Sequence, residues 1–192
     1  IGKSFFEVIV APAFEKEALE TLKKKKNLRL IEWPGSPPAD QEFRQIPGGF
    51  LLQDCDCAVD SPESWHYRNG TVLDNDQTDT AVFGLKLIRF VKSNAIILVR
   101  DRSLTGVGAG QMSRIDSVRM AIAKATASDR LHGSILISDA YFPFPDSIDM
   151  TREAGIETVL EPGGSIRDEQ VIDRARELGV RLVFTGIRHF RH

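Results

Sequence analysis

Strand and helix patterns alternate through the last third of the chain, and this alternation limits the fold more than any other feature. The segments "SILISD", "IETVL" and "VRLVFTG" are short, apolar and rich in β-branched residues, as buried strands are. Helix patterns separate them, and each helix pattern ends at a glycine, Gly155 or Gly179. Strands joined by such helices pair in parallel and carry the helices on the faces of the sheet. The pattern therefore predicts an α/β fold.

Patterns in the first two thirds of the chain predict a mixed sheet. "FFEVIVAP" begins the series of apolar strands, and "NAIILVR" is typical of a central strand buried on both faces. The early strands follow one another with little room for crossover helices, so we expect some antiparallel pairing. A helix between these strands is expected to be capped by Thr78 or Asp79. The prediction is a three-layer α/β/α architecture with a mixed sheet, formed by residues 1–192 as one domain.

Composition and charge exclude several classes of protein. The 192 residues include 25 basic and 27 acidic side chains, a balance that does not favour a nucleic-acid groove. Cys55 and Cys57 are two positions apart, and two thiols cannot complete a tetrahedral zinc site. No apolar run approaches the roughly 20 residues of a membrane-spanning helix, and no signal peptide is apparent. We therefore expect a cytoplasmic protein with no zinc, nucleic-acid or membrane partner.

A glycine-rich stretch, "GVGAGQMSR", precedes a long helix pattern. Glycine permits close approach of a ligand, and free amides at the start of a helix favour an anion. The stretch is not a Walker A motif, because no Gly-Lys-Ser/Thr follows, and its spacing is not that of a Rossmann fingerprint. A tight turn and a ligand-binding loop both remain open as interpretations.

Two further segments are unusual. In "YFPFPD" prolines alternate with aromatic residues, so the rings and Asp146 are held rigidly. Such a wall suits a flat heterocycle with ring N–H donors, or it is a strand-to-helix turn with Asp146 as its cap. The terminal "RHFRH" interleaves Phe190 with basic residues, and it is either a solvated tail or a segment that folds back onto a site.

Together these segments resemble a known family, the bifunctional enzymes with aminoimidazole-carboxamide ribotide (AICAR) transformylase and IMP cyclohydrolase activities. The resemblance is to the transformylase module, and its segments follow the family's order over nearly the whole chain. They are "VIVAPAFEKEALETLKKKKNLRLIE", "GGFLLQDCD", "VKSNAIILVRD", "GVGAGQMSRIDSVRMAIAKA", "SDAYFPFPDSIDMTREAGIETVLEPGGSIRDE" and "VFTGIRHFRH". It implies a cytidine-deaminase-like fold without zinc. It also implies that the chain is the second, carboxyl-terminal unit of a duplicated module, without the upstream unit and the cyclohydrolase domain.

The resemblance implies formyl transfer from 10-formyltetrahydrofolate, the co-substrate, to the exocyclic amine of AICAR in de novo purine (IMP) biosynthesis. This amine is a poor nucleophile, because it is conjugated into the ring carboxamide. Catalysis therefore requires removal of a proton from the amine, stabilisation of an oxyanion and close placement of the two substrates. The implied partners are the two small molecules and either a second copy in a homodimer or an upstream transformylase unit.

The resemblance also assigns residues. Asn94 is expected beside the formyl group, with its amide as a donor to the oxyanion, and Arg188 is expected to reach AICAR. A potassium ion, which the family can bind, is expected near Asp139 and His192. The residues expected on the folate side are Arg114, Ile115, Tyr141, Phe144 and Asp146.

One departure from the family leaves three hypotheses open. The family's general base is the histidine of a Lys-His pair, and no Lys-His dipeptide occurs in this sequence. Under the first hypothesis a partner unit supplies the base and the chain takes part in formyl transfer. Under the second the chain is a non-catalytic module that binds folate or AICAR, or only dimerises. Under the third a local histidine, His189 or His192, is the base. Whether the chain alone is an enzyme therefore stays open.

Overall fold

The computed structural model groups the chain into two compact units, which are Ile1–Cys55 and Asp56–His192. The residues that it describes are 5–35, 41–58 and 60–191. The prediction of a single domain over residues 1–192 stays open, because one domain can contain two compact units. Within the described ranges every helix is too short or too polar to traverse a lipid bilayer.

The first unit contains two small sheets. One is a parallel pair joined by a helix, and the other is an antiparallel hairpin. The elements are β1 (Val8–Ala11), α1 (Lys16–Leu22), β2 (Arg29–Glu32), β3 (Gln41–Ile46) and β4 (Gly49–Asp54). Several large apolar side chains of this unit, Phe43 and Phe50 among them, are exposed.

The second unit is built on a six-stranded mixed sheet with the order β5-β10-β9-β8-β6-β7. Its elements are β5 (His66–Asn69), α2 (Asn75–Ile88), β6 (Ile96–Arg100), β7 (Ser103–Gly108), α3 (Arg114–Ala127), β8 (Ile135–Ser138), α4 (Asp146–Glu153), β9 (Thr158–Glu161), α5 (Asp168–Leu178) and β10 (Arg181–Phe184). Strands β8, β9 and β10 pair in parallel, whereas β6 pairs antiparallel with both β7 and β8. The prediction of an α/β fold with a mixed sheet is confirmed.

Helices cover both faces of this sheet. Alternate residues of β6 and β8 point to opposite faces, as the pleat of a strand requires. On one face α2 packs against Ile97 and Ile137, and on the other α3, α4 and α5 pack against Ile96, Leu98 and Leu136. The three-layer arrangement follows from these two separate cores. The closer likeness to cytidine deaminase stays a prediction.

The start of one helix differs from the sequence expectation. Helix α2 is capped by Asp74, not by Thr78 or Asp79, because Asp74 and Gln77 bond reciprocally to each other's backbone N–H groups. Helix α5 begins at Asp168, whose carboxylate accepts from the amides of Gly164 and Ser165. Both carboxylates thus satisfy backbone donors at or just before the first turn of a helix.

The glycine-rich stretch is mainly a packing surface. Gly106 and Gly108 lie inside β7, and α3 crosses directly over them. A Cβ atom on Gly108 would lie 2.0 Å from the carbonyl oxygen of Ser117, and one on Gly106 would lie 2.2 Å from that of Ala121. The tight-turn interpretation was therefore wrong for these two glycines, and ligand binding by the stretch stays a prediction. Only Gly110, with φ of 65°, occupies a turn.

Replacing Gly108 by alanine should lower the free energy of unfolding by about 2–3 kcal/mol, because the new methyl group meets helix backbone that cannot yield as a side chain can. Urea unfolding followed by circular dichroism measures this change. Gly49→Ala is the matched control, since open space surrounds that position. Equal stability of the Gly108→Ala protein and the unsubstituted protein would contradict the packing argument.

Candidate functional site

A cavity of about 450 Å³ opens in the second unit, beside the end of β8 and the beginning of β6. These two ends are adjacent because β6 and β8 run antiparallel, with Ile96 opposite Ser138. The cavity is lined by Asn94, Met112, Ser113, Arg114, Ile115, Ala140, Tyr141, Pro143, Phe144, Asp146, Ser147 and Phe190. Loops at one end of the sheet, where β8 ends and β6 begins, therefore converge on one concave surface, as is usual in open α/β sheets.

The cavity brings together most of the residues assigned from the sequence. Asn94 and all five residues expected on the folate side contribute to its wall. Arg188 does not line the cavity, but its guanidinium carbon lies 5.0 Å from the centre of the Tyr141 ring, which does. His192, expected near a potassium ion, lies outside the described residues. The roles assigned to these side chains stay predictions.

A buried ion pair between Arg114 and Asp139 organises one wall. The side chain of Asp139 is fully buried and that of Arg114 is 7% exposed. Arg114 Nη1 bonds to Asp139 Oδ1 and lies 3.3 Å from Ser138 Oγ, and Nη2 donates to Asn94 Oδ1 at 3.1 Å. A buried charge is tolerated only when it is paired and hydrogen-bonded, and this arrangement supplies both. Arg114 therefore links α3, β8 and Asn94.

The Asn94 amide is already engaged. Its Nδ2 donates to the carbonyl oxygens of Gln111 at 3.0 Å and Met112 at 3.2 Å. Because Arg114 donates to Oδ1, the opposite orientation of this amide would place two donors face to face. The expectation that the Asn94 amide donates to the oxyanion stays a prediction, and it requires one of these two bonds to be exchanged.

Asp139 does not suit the role of a cation ligand. Its Oδ1 accepts from Arg114, and its Oδ2 accepts from Ser93 Oγ at 2.6 Å and from the Ala95 amide at 3.0 Å. Its charge is thus matched by a guanidinium, and both oxygens are occupied. In residues 5–35, 41–58 and 60–191 no cluster of three or more His, Cys, Asp or Glu side chains is arranged to hold a metal ion. The potassium site expected near Asp139 and His192 stays a prediction, because His192 lies outside the described residues.

The aromatic segment forms a rigid side of the cavity. Phe142 is buried beneath it, whereas Phe144 is half exposed and faces the opening together with Pro143. Asp146 is the first residue of α4, and its Oδ1 accepts from the Ser147 amide at 2.8 Å. The interpretation of Asp146 as the cap is therefore wrong, because Pro145 occupies the cap position; Asp146 does line the cavity. One carboxylate oxygen serves the helix start while the group faces the site.

Sequence reasoning did not find Arg167. Its guanidinium carbon lies 4.4 Å from the centre of the Phe144 ring, in the geometry of a cation–π contact. The order of the strands could have indicated this contact. Strands β8 and β9 are parallel neighbours, so the loops that follow them lie at the same end of the sheet. The Arg167 guanidinium thus contacts the Phe144 ring and helps to fix its position.

Glu161 was also missed. It ends β9, is 1% exposed, and its Oε2 accepts from the Phe142 amide beneath the aromatic wall. Loss of hydration on burial raises its pKa to about 8, and the bond from Phe142 only partly opposes this effect. Its Oε1 has no hydrogen-bond partner among the described residues. A buried carboxyl that is neutral near pH 7 therefore supports the wall.

The terminal segment folds back, and its histidine is not a free base. The side chain of His189 is 1% exposed, with Nδ1 2.7 Å from Asp56 Oδ2 and Nε2 2.9 Å from Asp60 Oδ2. Burial by itself lowers the pKa of His189, but the hydrogen bonds to Asp60 and Asp56 outweigh it and raise the pKa above its ordinary value. Both ring nitrogens are occupied, so the hypothesis that His189 is the local base was wrong.

Comparison with known proteins adds a family. A family model described as "AICARFT/IMPCHase bienzyme" matches residues 1–124. The relatives named bifunctional purine biosynthesis protein PurH include those of Rhodopirellula baltica, Streptococcus suis and Enterococcus faecalis, which are 48%, 43% and 40% identical to this chain. Each alignment covers 98% of this chain and 37% of the relative. The chain thus spans little more than a third of the length of these relatives.

Replacing Glu161 by glutamine should change how stability depends on pH. The pKa of this carboxyl in the folded protein, about 8, exceeds the ordinary 4.5, so its stabilising effect is full below pH 4.5 and is lost as pH rises through 8. Glutamine accepts the same Phe142 bond and does not titrate. The variant should gain on the order of 2–4 kcal/mol relative to the unsubstituted protein between pH 5 and pH 9. Urea unfolding across this range checks it, and parallel stability curves would show that Glu161 titrates normally.

Removing Arg114 should be severe because Asp139 would be left charged and unpaired. We expect Arg114→Met to lower the free energy of unfolding by about 3–5 kcal/mol, and a second substitution, Asp139→Asn, to recover at least about half of the loss. Arg119→Met is the control, because Arg119 pairs with Asp116 at the surface and should contribute less than about 1 kcal/mol. Strictly additive losses in the double variant would mean that the two side chains do not act as a pair.

Proposed function

The chain belongs to the AICARFT/IMPCHase bienzyme family, and on that premise we propose that it acts in purine biosynthesis as part of the AICAR transformylase site. The reaction proposed is formyl transfer from 10-formyltetrahydrofolate to the amine of AICAR. One observation supports this assignment above others. Asn94 and the five residues expected on the folate side, which lie up to 52 positions apart in sequence, meet in one cavity. Convergence of a whole motif set is not expected of residues that resemble a family by chance.

The aromatic wall suits the folate side of such a site. Phe144 offers a flat face that Arg167 holds from behind, and proline on either side restricts the backbone that carries it. Asp146 lies in the same wall, and a carboxylate accepts readily from the ring N–H and amino groups of a pterin. Ring stacking and a charged acceptor together would fix the co-substrate's orientation, which is the main requirement of a transfer between two bound molecules.

Arg188 suits the AICAR side. Its guanidinium stacks on Tyr141, at the rim of the cavity, and no carboxylate lies within ion-pair distance of it in the part of the chain that the structure describes. Arginine stacked on an aromatic ring keeps its N–H edge free for a phosphate or carboxamide oxygen. AICAR carries both groups, so this side chain would bind the acceptor substrate opposite the folate wall.

Asn94 would act after an exchange of hydrogen bonds. The oxyanion that forms on the transferred formyl group needs a donor, and Asn94 Nδ2 has its N–H groups on the Gln111 and Met112 carbonyls. Met112 is fully exposed at the cavity, so a bound formyl group can displace its carbonyl at small cost. Arg114 keeps hold of Oδ1 during this exchange and preserves the orientation of the amide.

The base would come from another unit. His189 has both ring nitrogens engaged, and the sequence has no Lys-His pair. A proton on the AICAR amine therefore has no acceptor of suitable basicity among the described residues that line the cavity. The same observation favours a second candidate, a module that binds folate or AICAR without turnover. A homodimer partner or an upstream transformylase unit distinguishes the two, because only the first candidate gains activity from it.

We expect the isolated chain to show little formyl transfer, and an added unit that carries the Lys-His pair to restore it. Asn94→Ala should then reduce the restored rate at least about a hundredfold, because the oxyanion loses its donor. The rate is followed by the absorbance change as 10-formyltetrahydrofolate is consumed. Asn75→Ala, at the exposed start of α2, is the control and should leave the rate unchanged.

Four outcomes would change the assignment. Full activity of the isolated chain would show that it carries its own base. Binding of AICAR and 10-formylfolate without turnover, even with the Lys-His unit present, would favour the binding module. Failure to bind either compound, or cyclisation to IMP by the chain in place of formyl transfer, would overturn the transformylase proposal.

A further inference from the structure

The segment after β10 alternates between the protein interior and the cavity. Arg188 stacks on Tyr141 and Phe190 lines the cavity, whereas His189 between them is buried. This is the alternation of an extended chain, in which neighbouring side chains point to opposite sides. The inward residue therefore determines where the two outward residues lie.

Two carboxylates hold the inward residue. Asp56 Oδ2 and Asp60 Oδ2 lie 2.7 Å and 2.9 Å from the two ring nitrogens of His189, and the side chain of Asp60 is only 6% exposed. An imidazolium donates from both nitrogens, and charge-assisted bonds of this kind are stronger and more directional than neutral ones. The ring can therefore neither rotate nor withdraw without losing a bond to a buried charge.

The charges around this clamp are not limited to the three side chains. Helix α2 presents Lys86 and Arg89 to a small cavity of about 90 Å³ that Asp60 also lines. They partly offset the excess negative charge of two carboxylates beside one imidazolium. Both of these positive charges lie on one helix, on the side of the cavity that Asp60 faces.

Backbone contacts extend the clamp to the cavity wall. The His189 amide donates to the Asp139 carbonyl at 2.9 Å, and Ser93 exchanges two bonds with Arg191 at 2.7 Å and 3.0 Å. Asp139 and Ser93 belong to the network that holds Arg114. The terminal segment and the Asn94 wall therefore share their supports.

We propose that His189 is a positioning residue, which the Asp56–Asp60 clamp holds so that Arg188 and Phe190 stand at the cavity. The part of this inference that concerns the backbone rests on the contacts alone. The part that concerns ligand affinity rests on the proposed function, since it takes AICAR as the ligand of Arg188. His189 touches no substrate, and its effect passes through its two neighbours.

Hydrogen exchange followed by mass spectrometry tests the backbone part. In His189→Leu and Asp60→Ala the amides of residues 188–191 should exchange at least about tenfold faster than in the unsubstituted chain. Asp60→Asn keeps an acceptor for Nε2 and should restore slow exchange. Asp173→Ala, which removes a surface partner of Arg176, is the control. Should His189→Leu not fold, the comparison of Asp60→Leu with Asp60→Asn decides, because the two side chains are similar in volume and only asparagine offers an acceptor.

A double-mutant cycle on AICAR affinity tests the positioning part. His189→Leu and Arg188→Gln should each weaken AICAR binding about tenfold, and the double variant should bind no more weakly than Arg188→Gln alone. Losses that simply add would overturn a role through Arg188, and unchanged exchange in both His189→Leu and Asp60→Ala would overturn the clamp. If the unsubstituted chain does not bind AICAR while exchange responds as expected, the proposed function fails and the clamp stands.

Discussion

The buried pair of Arg114 and Asp139 is the constraint on which the candidate site depends. A carboxylate with no exposed surface must find a cation and hydrogen-bond donors, and the guanidinium at the start of α3 is the cation. By meeting that need the pair connects the end of β8 to the beginning of α3. In this pair Arg114 Nη2 remains available to donate to Asn94 Oδ1. The position of Asn94 therefore depends on the charge of Asp139, which lies 45 positions away in the sequence.

Close packing of α3 against β7 places Arg114 where it can pair with Asp139. Helix α3 approaches β7 closely enough that carbonyl oxygens of Ser117 and Ala121 occupy the space of two absent side chains on Gly106 and Gly108. A larger residue at either glycine would push the helix away from the sheet, and Arg114 with it. Gly106 and Gly108 therefore act on the site at a distance, through helix placement. Glu161 acts similarly on the other wall, from beneath Phe142.

Local patterns in the sequence predicted most strands, the helices and the left-handed helix end at Gly179, because each depends on residues only a few positions apart. Strands β3, β5 and β7 were missed, and the glycines of β7 were interpreted as a loop. The resemblance identified the residues that meet in the cavity. Pairing across the sheet was not predictable in this way. Nothing local indicates that Arg114 meets Asp139 or that His189 lies between two aspartates, because such partners are set by strand order. The same fact misled the expectation of His189 as a local base. The cap of α2 differs, since Asp74 and Gln77 form a local signature that was overlooked.

The central claim is that the loops held together by the Arg114–Asp139 pair form the binding site for a folate co-substrate. An NMR titration of the isotope-labelled chain with 10-formylfolate tests it most directly. The account predicts saturable shifts of the backbone amides of Asn94, Ile115, Phe144 and Asp146, which line the cavity. Shifts confined to the opposite end of the sheet, around Asp76, His132 and Gly155, would place the ligand elsewhere and contradict this claim.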